Sequence, residues 1–259
     1  MPEEHKIRQA GQAGQAGQAD RIRTRDGDSK AGGFIYKLIF SVIYNLVLFG
    51  GTLFLPAGTI NWPRAWVLLG VLLVSTMATM IIVFRGREEL LNERFKPPIQ
   101  KGQPIADRII VLMLIASFIG LMAFIPLDVF RFHLLGKPNL FVSSSGMIMF
   151  LVGWWIISLV FKENAFAAPV VRHQEERHQM VIDTGVYSIV RHPMYAGAAI
   201  WMIGMALWLE SYAAALLAIV PIALVGVRIL FEERFLRREL KGYEDYTKRV
   251  RYRLVPFIW

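Results

Sequence analysis

The chain has 259 residues, of which 55% are hydrophobic and only 19% charged, with a net charge of +9 and a mean hydropathy of +0.43. Length alone would suit one or two soluble domains, but the chain carries several runs of about 20 apolar residues, each enough to cross a hydrocarbon layer of roughly 30 Å. Without cysteine there is no disulfide, thiolate nucleophile, iron–sulfur cluster or Cys-ligated zinc. The basic residues flank the apolar runs, where they meet lipid headgroups, so the positive charge is no sign of a nucleic-acid partner.

Residues 1–32 are polar and contain GQAGQAGQA at 11–19; such a segment buries too little apolar surface to offset its ordering entropy, and a disordered tail is expected. No cleavable signal peptide is expected, because the first apolar run begins only at Gly33. A first helix is predicted over 33–55, with Lys37 snorkelling to the interface. The turn NWPR at 61–64 leads to a second helix over 65–84. The charged stretch 85–108 follows: REELLNERF reads as an interfacial helix, PPIQKGQP as an extended loop. Helices over 109–130 and 142–161 come next. A polar segment, 162–192, holds His173, His178 and His192. Apolar runs at 193–209 and 211–227, separated by little more than Glu210, read as a helical hairpin, with Pro221 kinking its second limb. From Arg228 to Trp259 charged and aromatic residues alternate; the last helix is expected to run past the bilayer and turn at Lys241–Gly242.

The fold class is therefore all-α: a polytopic membrane protein of about six transmembrane helices. Its parts are a tail at 1–32, four helices and the 85–108 loop within 33–164, and a chemically equipped region at 165–259. The tail, the 85–108 loop, the 162–192 segment and the C-terminal part are all basic. With six helices all four lie on one side, which makes both termini cytoplasmic.

Three features concentrate in the last third: GVYSIVRHPMYAG at 185–197, Arg228-x-x-x-Glu232-Glu233, and the basic, aromatic stretch from Tyr243. Proline suits the first turn of a helix, where its missing N–H would be unpaired anyway, so Arg191 and His192 should lie at the membrane face with Tyr195 on the first turn of the helix. Taken singly, Arg191 could be a headgroup anchor, His192 incidental and Tyr195 part of an aromatic belt; together they suggest a site beside a helix N-terminus that favours anions. Arg228 and Glu232 share a helical face at i, i+4, but in the less favourable order and with the carboxylate opposing the macrodipole. As a structural pair they would be poor, which favours a binding role. The hairpin returns both to the level of His192. His173 and His178, at i, i+5 and without an HExxH arrangement, do not suggest a metal site. No GxGxxG, P-loop or GxSxG occurs, so a nucleotide-like cofactor would be held by helices and loops.

These residues resemble the isoprenylcysteine carboxyl methyltransferase family of membrane-embedded S-adenosylmethionine methyltransferases. The resemblance covers roughly 165–259 and rests on TGVYxxxRHPMYAG, Glu232-Glu233-x-x-Leu236 and GYxxY followed by Arg-Leu-x-Pro. It implies a cytoplasmic S-adenosylmethionine pocket closed by the loop before the RHP motif and by the C-terminal segment. By matching position, its contacts would be Gln179, Met180, Val181, Ile182, Tyr187, His192, Pro193, Met194, Tyr195 and Glu232. Arg228 would be the substrate-facing arginine and, with His192, the catalytic residue. Arg172 departs from the glutamine of the eukaryotic enzymes, and the 179–182 side chains differ, so contacts there would be made by backbone.

The resemblance implies partners of one kind: membrane lipids and a lipophilic small-molecule or prenylated acceptor, not nucleic acid. A carboxylate acceptor could be aimed by Arg228 without a general base, whereas a thiol, amine or hydroxyl would need His192 or Glu232 as base. A water-poor site suits the reaction of a sulfonium with an anion, because the opposite charges are dispersed on the way to the products. Two other readings stay open on sequence alone: an NADPH-dependent sterol C14-reductase-like oxidoreductase, suggested by the C-terminal stretch but built on about ten helices, and a non-catalytic lipid-binding membrane protein.

Overall fold

A computed structural model describes residues 32–100, 103–167 and 179–259. The expected tail, His173, His178 and Arg172 lie outside the described residues. The chain falls into two units, Met1–Tyr44 and Asn45–Trp259. The first helix, α1, runs Gly32–Ala57. Within the first unit Tyr36, Phe40 and Tyr44, each four residues apart, stack in file with centroids 6.5 and 6.2 Å apart, as same-face helical neighbours do.

Among its described residues, the regular elements of the second unit are all helical. It comprises α2 (Pro63–Thr79, continued by a π-helical turn Met80–Phe84), α3 (Glu88–Arg94), α4 (Ile105–Leu127, continued by a π-helical turn Asp128–Phe132) and α5 (Leu140–Glu163). After a 3₁₀ turn at Gly185–Ser188 come α6 (Pro193–Trp208), α7 (Tyr212–Leu217), α8 (Ile219–Glu239) and α9 (Tyr243–Arg249). α3 is the expected interfacial helix. α9 was not expected; Gly242, at φ 87°, reverses the chain between α8 and α9. The last limb of the hairpin breaks at Ala218, between α7 and α8, one turn before Pro221. The proline ring crowds the carbonyl four residues back and offers it no N–H, so the break falls ahead of the proline itself.

Among the described residues, five helices are long and apolar enough to cross a membrane: Gly32–Ala57, Pro63–Phe84, Ile105–Phe132, Leu140–Glu163 and Tyr212–Glu239. Its regular structure is all-helical among the described residues, and the chain is a polytopic membrane protein. The sixth expected span is α6, which is apolar but has only 16 residues. Such a helix rises about 24 Å, short of the roughly 30 Å hydrocarbon layer.

α5 and α6 pack backbone to backbone. A Cβ on Gly153 would lie 2.5 Å from the Gly197 carbonyl oxygen, and one on Gly204 would lie 2.5 Å from the Phe150 nitrogen. Gly146 and Gly153 face Gly204 and Gly197 in antiparallel register. Lipid gives helices no hydrophobic reason to associate, so close contact at small residues supplies the attraction. Around this seam Trp201 meets Phe49, Phe118 and Phe150 with centroids 5.9, 5.7 and 5.5 Å away. At one end of the hairpin, Ser211 donates to the buried Asp128 carboxylate at 2.6 Å and accepts from the Ala214 amide. Arg64 pairs with Glu210 at 3.1 Å and stacks on Trp208. The turn is thereby fixed, and with it the return of α8 toward the start of α6.

Candidate active site

The site lies where the start of α6, the second half of α8, α9 and the last residues converge. Its approach is set by Gly185, whose φ is 55° and whose Cβ would meet the Glu163 side chain at 2.6 Å. Thr184 donates to the same carboxylate at 3.1 Å. This turn delivers Tyr187, whose hydroxyl accepts from Asn164 at 2.9 Å and whose carbonyl accepts the Tyr246 hydroxyl at 2.8 Å. Burial above all pushes the Tyr187 phenol up to about 12. Tyr187 is therefore neutral and acts by shape and hydrogen bonding.

Pro193 takes the first position of α6, as its sequence context predicts. The residues before it are clamped to the C-terminal stretch: the Arg191 amide donates to the Tyr252 carbonyl and the His192 amide to the Arg253 carbonyl, both at 2.9 Å. The buried Arg191 guanidinium donates to the Val250 and Arg251 carbonyls at 2.7 and 2.8 Å, and its Nε to Glu233 at 2.6 Å. Arg253 reaches the other Glu233 oxygen at 3.0 Å, and His192 Nε2 lies 3.3 Å from Glu233 Oε1. Glu233 thus ties α8, the start of α6 and the C-terminal stretch together. The sequence marks the Glu232-Glu233 pair but suggests a role only for Glu232, because nothing local tells which of two adjacent carboxylates turns inward.

Glu232 faces the other way and accepts the Tyr195 hydroxyl at 2.8 Å. The Tyr195 ring stacks on His192, centroids 5.8 Å apart, and the Arg228 guanidinium carbon lies 6.0 Å from its centre. Arg228 and Glu232 share a helical face, and Arg228 also has a structural partner outside that pair. Its Nε donates to the buried Asp107 of α4 at 3.1 Å, and Asp107 also accepts from Gln103 at 2.6 Å. Arg228 is therefore held rigidly by a residue 121 positions away. No local signal could have found that partner.

All ten residues expected to contact a cofactor line one cleft: Gln179, Met180, Val181, Ile182, Tyr187, His192, Pro193, Met194, Tyr195 and Glu232. Asn164, Phe166, Arg191, Leu236, Tyr243 and Tyr246 share in its lining. Arg228 does not; it lies beside the Tyr195 ring, which does. The Tyr243 hydroxyl is buried and has no hydrogen-bond partner among the described residues. An unmet buried hydroxyl costs about 1–3 kcal/mol, so its position in the cleft wall suits a polar ligand group.

The phospholipid methyltransferase family model matches residues 142–242, from α5 to the turn before α9. A probable protein-S-isoprenylcysteine O-methyltransferase from Oryza sativa subsp. indica is 32% identical over 126 residues, 47% of this chain and 65% of that protein. Protein-S-isoprenylcysteine O-methyltransferase B of Arabidopsis thaliana is 30% identical over the same length, covering 63% of it. The corresponding Schizosaccharomyces pombe protein is 33% identical over 95 residues, 36% of this chain and 40% of that one. The chain is thus similar to phospholipid methyltransferases over 142–242 and to protein-S-isoprenylcysteine O-methyltransferases over about half of its length. The chain spans just under two thirds of the length of the plant relatives. The matched model covers α5, the RHP turn, α6 and α8, so the family region contains Glu232, Glu233 and Arg228 but not Asp107. The reductase reading is not favoured by these relatives.

Proposed function

We propose that this protein is an integral membrane methyltransferase that moves a methyl group from S-adenosylmethionine to a lipophilic acceptor, a carboxylate of isoprenylcysteine type. The observation that carries the reading is the gathering of ten separately expected residues around one cleft, with Arg228 beside the Tyr195 ring of its wall. The donor set fits the cofactor: a carboxylate, an unmet buried hydroxyl, apolar walls and aromatic rings. Glu232 would hold the ammonium group, Tyr243 a polar oxygen or nitrogen, and the 179–182 strand of chain with Met194 and Leu236 the rest. When bound, the cofactor supplies an electrophilic sulfonium methyl.

The chain's own residues then favour a carboxylate as acceptor. His192 Nε2 lies 3.3 Å from Glu233 Oε1 and Glu232 accepts from Tyr195, so both candidate bases are already engaged in the wall of the site. A carboxylate needs no base, and Arg228, braced by Asp107, can bind and aim it in a water-poor setting. In this reading α6 completes six spans, and the site end of the bundle and both termini face the cytoplasm, in keeping with the Lys and Arg excess of the segments there.

The roles of Glu232 and Arg228 separate experimentally. Glu232→Gln should weaken binding of S-adenosylhomocysteine roughly ten- to a hundredfold, the loss of one charge-assisted bond, and leave the melting temperature unchanged. Arg228 cannot be removed alone without stranding Asp107, so Arg228→Gln is combined with Asp107→Asn. This double variant should bind S-adenosylhomocysteine as wild type does, yet turn over acceptor about ten- to a hundredfold more slowly. If calorimetry and single-turnover rates show both variants behaving like wild type, the two charges have no part in the reaction.

A further inference from the structure

Residues 253–259 form a closed hook. The Arg253, Leu254 and Val255 amides donate to the Trp259 carbonyl at 2.8, 3.0 and 3.2 Å, and the Ile258 and Trp259 amides donate to the Val255 carbonyl at 3.2 Å. The Arg253 guanidinium, bonded to Glu233, lies over the Trp259 ring, 5.2 Å from its centre. The hook holds Phe257 at φ 67°, a left-handed conformation that strains an aromatic residue. Yet Phe257 and Ile258 are 87% and 80% exposed. Two large apolar side chains are displayed rather than buried.

The level of the hook along the bundle decides what covers them. A Cβ on Gly226 would lie 3.8 Å from Trp259 Cη2, an ordinary contact, so the hook rests on α8 at Gly226. The partly buried Arg64–Glu210 pair at the hairpin turn marks one boundary of the hydrocarbon layer. Gly226 lies about 21 Å from Tyr212 along the span that leaves this turn, inside a layer of roughly 30 Å. α6 meets the same turn and rises only about 24 Å from it to Pro193. The hook is bonded to that short end, where the His192 amide donates to the Arg253 carbonyl at 2.9 Å. Residues 253–259 therefore occupy the depth that α6 leaves unspanned. Leu230, one turn from Gly226 on the same face, is exposed, so the apolar outer side of α8 continues onto the hook. At its base the Tyr252 ring packs on Phe257, centroids 5.2 Å apart, and Arg251 is exposed. An aromatic ring and a cation suit the level where headgroups begin.

We propose that residues 253–259 are a re-entrant membrane hook that seats Phe257 and Ile258 among lipid acyl chains beside the start of α6. The inference goes beyond the methyltransferase reading and holds without it. Moving the two side chains from water into hydrocarbon offsets the backbone strain at Phe257. Because Arg253 binds the His192 amide, the bilayer then steadies the start of α6 as well.

The chain has no cysteine, so single nitroxide labels can be placed on the full chain in phosphatidylcholine nanodiscs. Phe257→Cys and Ile258→Cys are the probes. Ile219→Cys, exposed on α8, is the lipid control, and Lys248→Cys, exposed on α9, is the water control. Power saturation with oxygen and with a water-soluble nickel chelate reads the depth of each label. The labels at 257 and 258 should respond to oxygen and be shielded from nickel, as the label at 219 is. The two positions are read separately, so each carries the test even where the other label disturbs the hook. Nickel access equal to that at 248 would place the hook in water and overturn the proposal. Shielding from both reagents would show protein, such as a second copy of this chain, covering the hook, and would overturn the lipid seat equally.

Discussion

Glu233→Ala is expected to destabilise the protein by about 3–5 kcal/mol, the loss typical when one partner of a buried ion pair is removed. Arg191 and Glu233 side chains are each only 4% exposed, and their contact is 2.6 Å. Without the carboxylate, the Arg191 guanidinium keeps two carbonyl partners but loses its counter-charge; Arg253 and His192 lose a partner as well. The stretch 250–253 would then be held to α6 by the Arg191 carbonyl bonds and two backbone amides, and the cleft wall would loosen. Melting in detergent should fall sharply and cofactor binding should fall with it. Glu233→Gln, which keeps the shape, should lose less. The adjacent Glu232→Gln should do the opposite, weakening binding at unchanged melting. If Glu233→Ala melts like wild type, the network is ornamental and the C-terminal stretch is anchored by other contacts.

Gly153→Leu is expected to prevent accumulation of folded protein. A Cβ at this position would lie 2.5 Å from the Gly197 oxygen and 2.6 Å from the Trp201 nitrogen, both backbone atoms that no rotamer change can move. Separating α5 from α6 is the only relief, and it would displace the residues that follow the RHP turn. Gly153→Ala should fold but lose about 1–3 kcal/mol, the usual cost of forcing extra volume into a packed seam. Gly120→Ala is the control: nothing lies within 4 Å of its Cβ, so it should be neutral or slightly stabilising. Equal melting of Gly153→Ala and Gly120→Ala would show that the helices do not meet as described.

Much of the architecture was legible because bilayer spans advertise themselves through long apolar runs, and prolines and glycines mark their ends. The RHP turn, the α6 start at Pro193 and the reversal at Gly242 all followed from local chemistry. What was hidden depends on distant partners. Asp107 gives no sign of its bond to Arg228, and Glu232 and Glu233 look alike until α8 is rotated into place. Arg94 reads as one charge among many in a polar loop; only the docking of α3 on α5 sets it beside Phe161. The break at Ala218 was misplaced by three residues, since a proline disturbs the carbonyl behind it rather than its own position.

If the cleft between α6, α8 and α9 is built for a sulfonium methyl donor, ligand binding to the purified chain will show it. S-adenosylhomocysteine should bind with a single calorimetric isotherm and, at a hundred times its dissociation constant, stabilise the protein by about 2.7 kcal/mol, while NADPH gives no shift. Stabilisation by NADPH with none by S-adenosylhomocysteine would contradict the account and transfer the site to the reductase class.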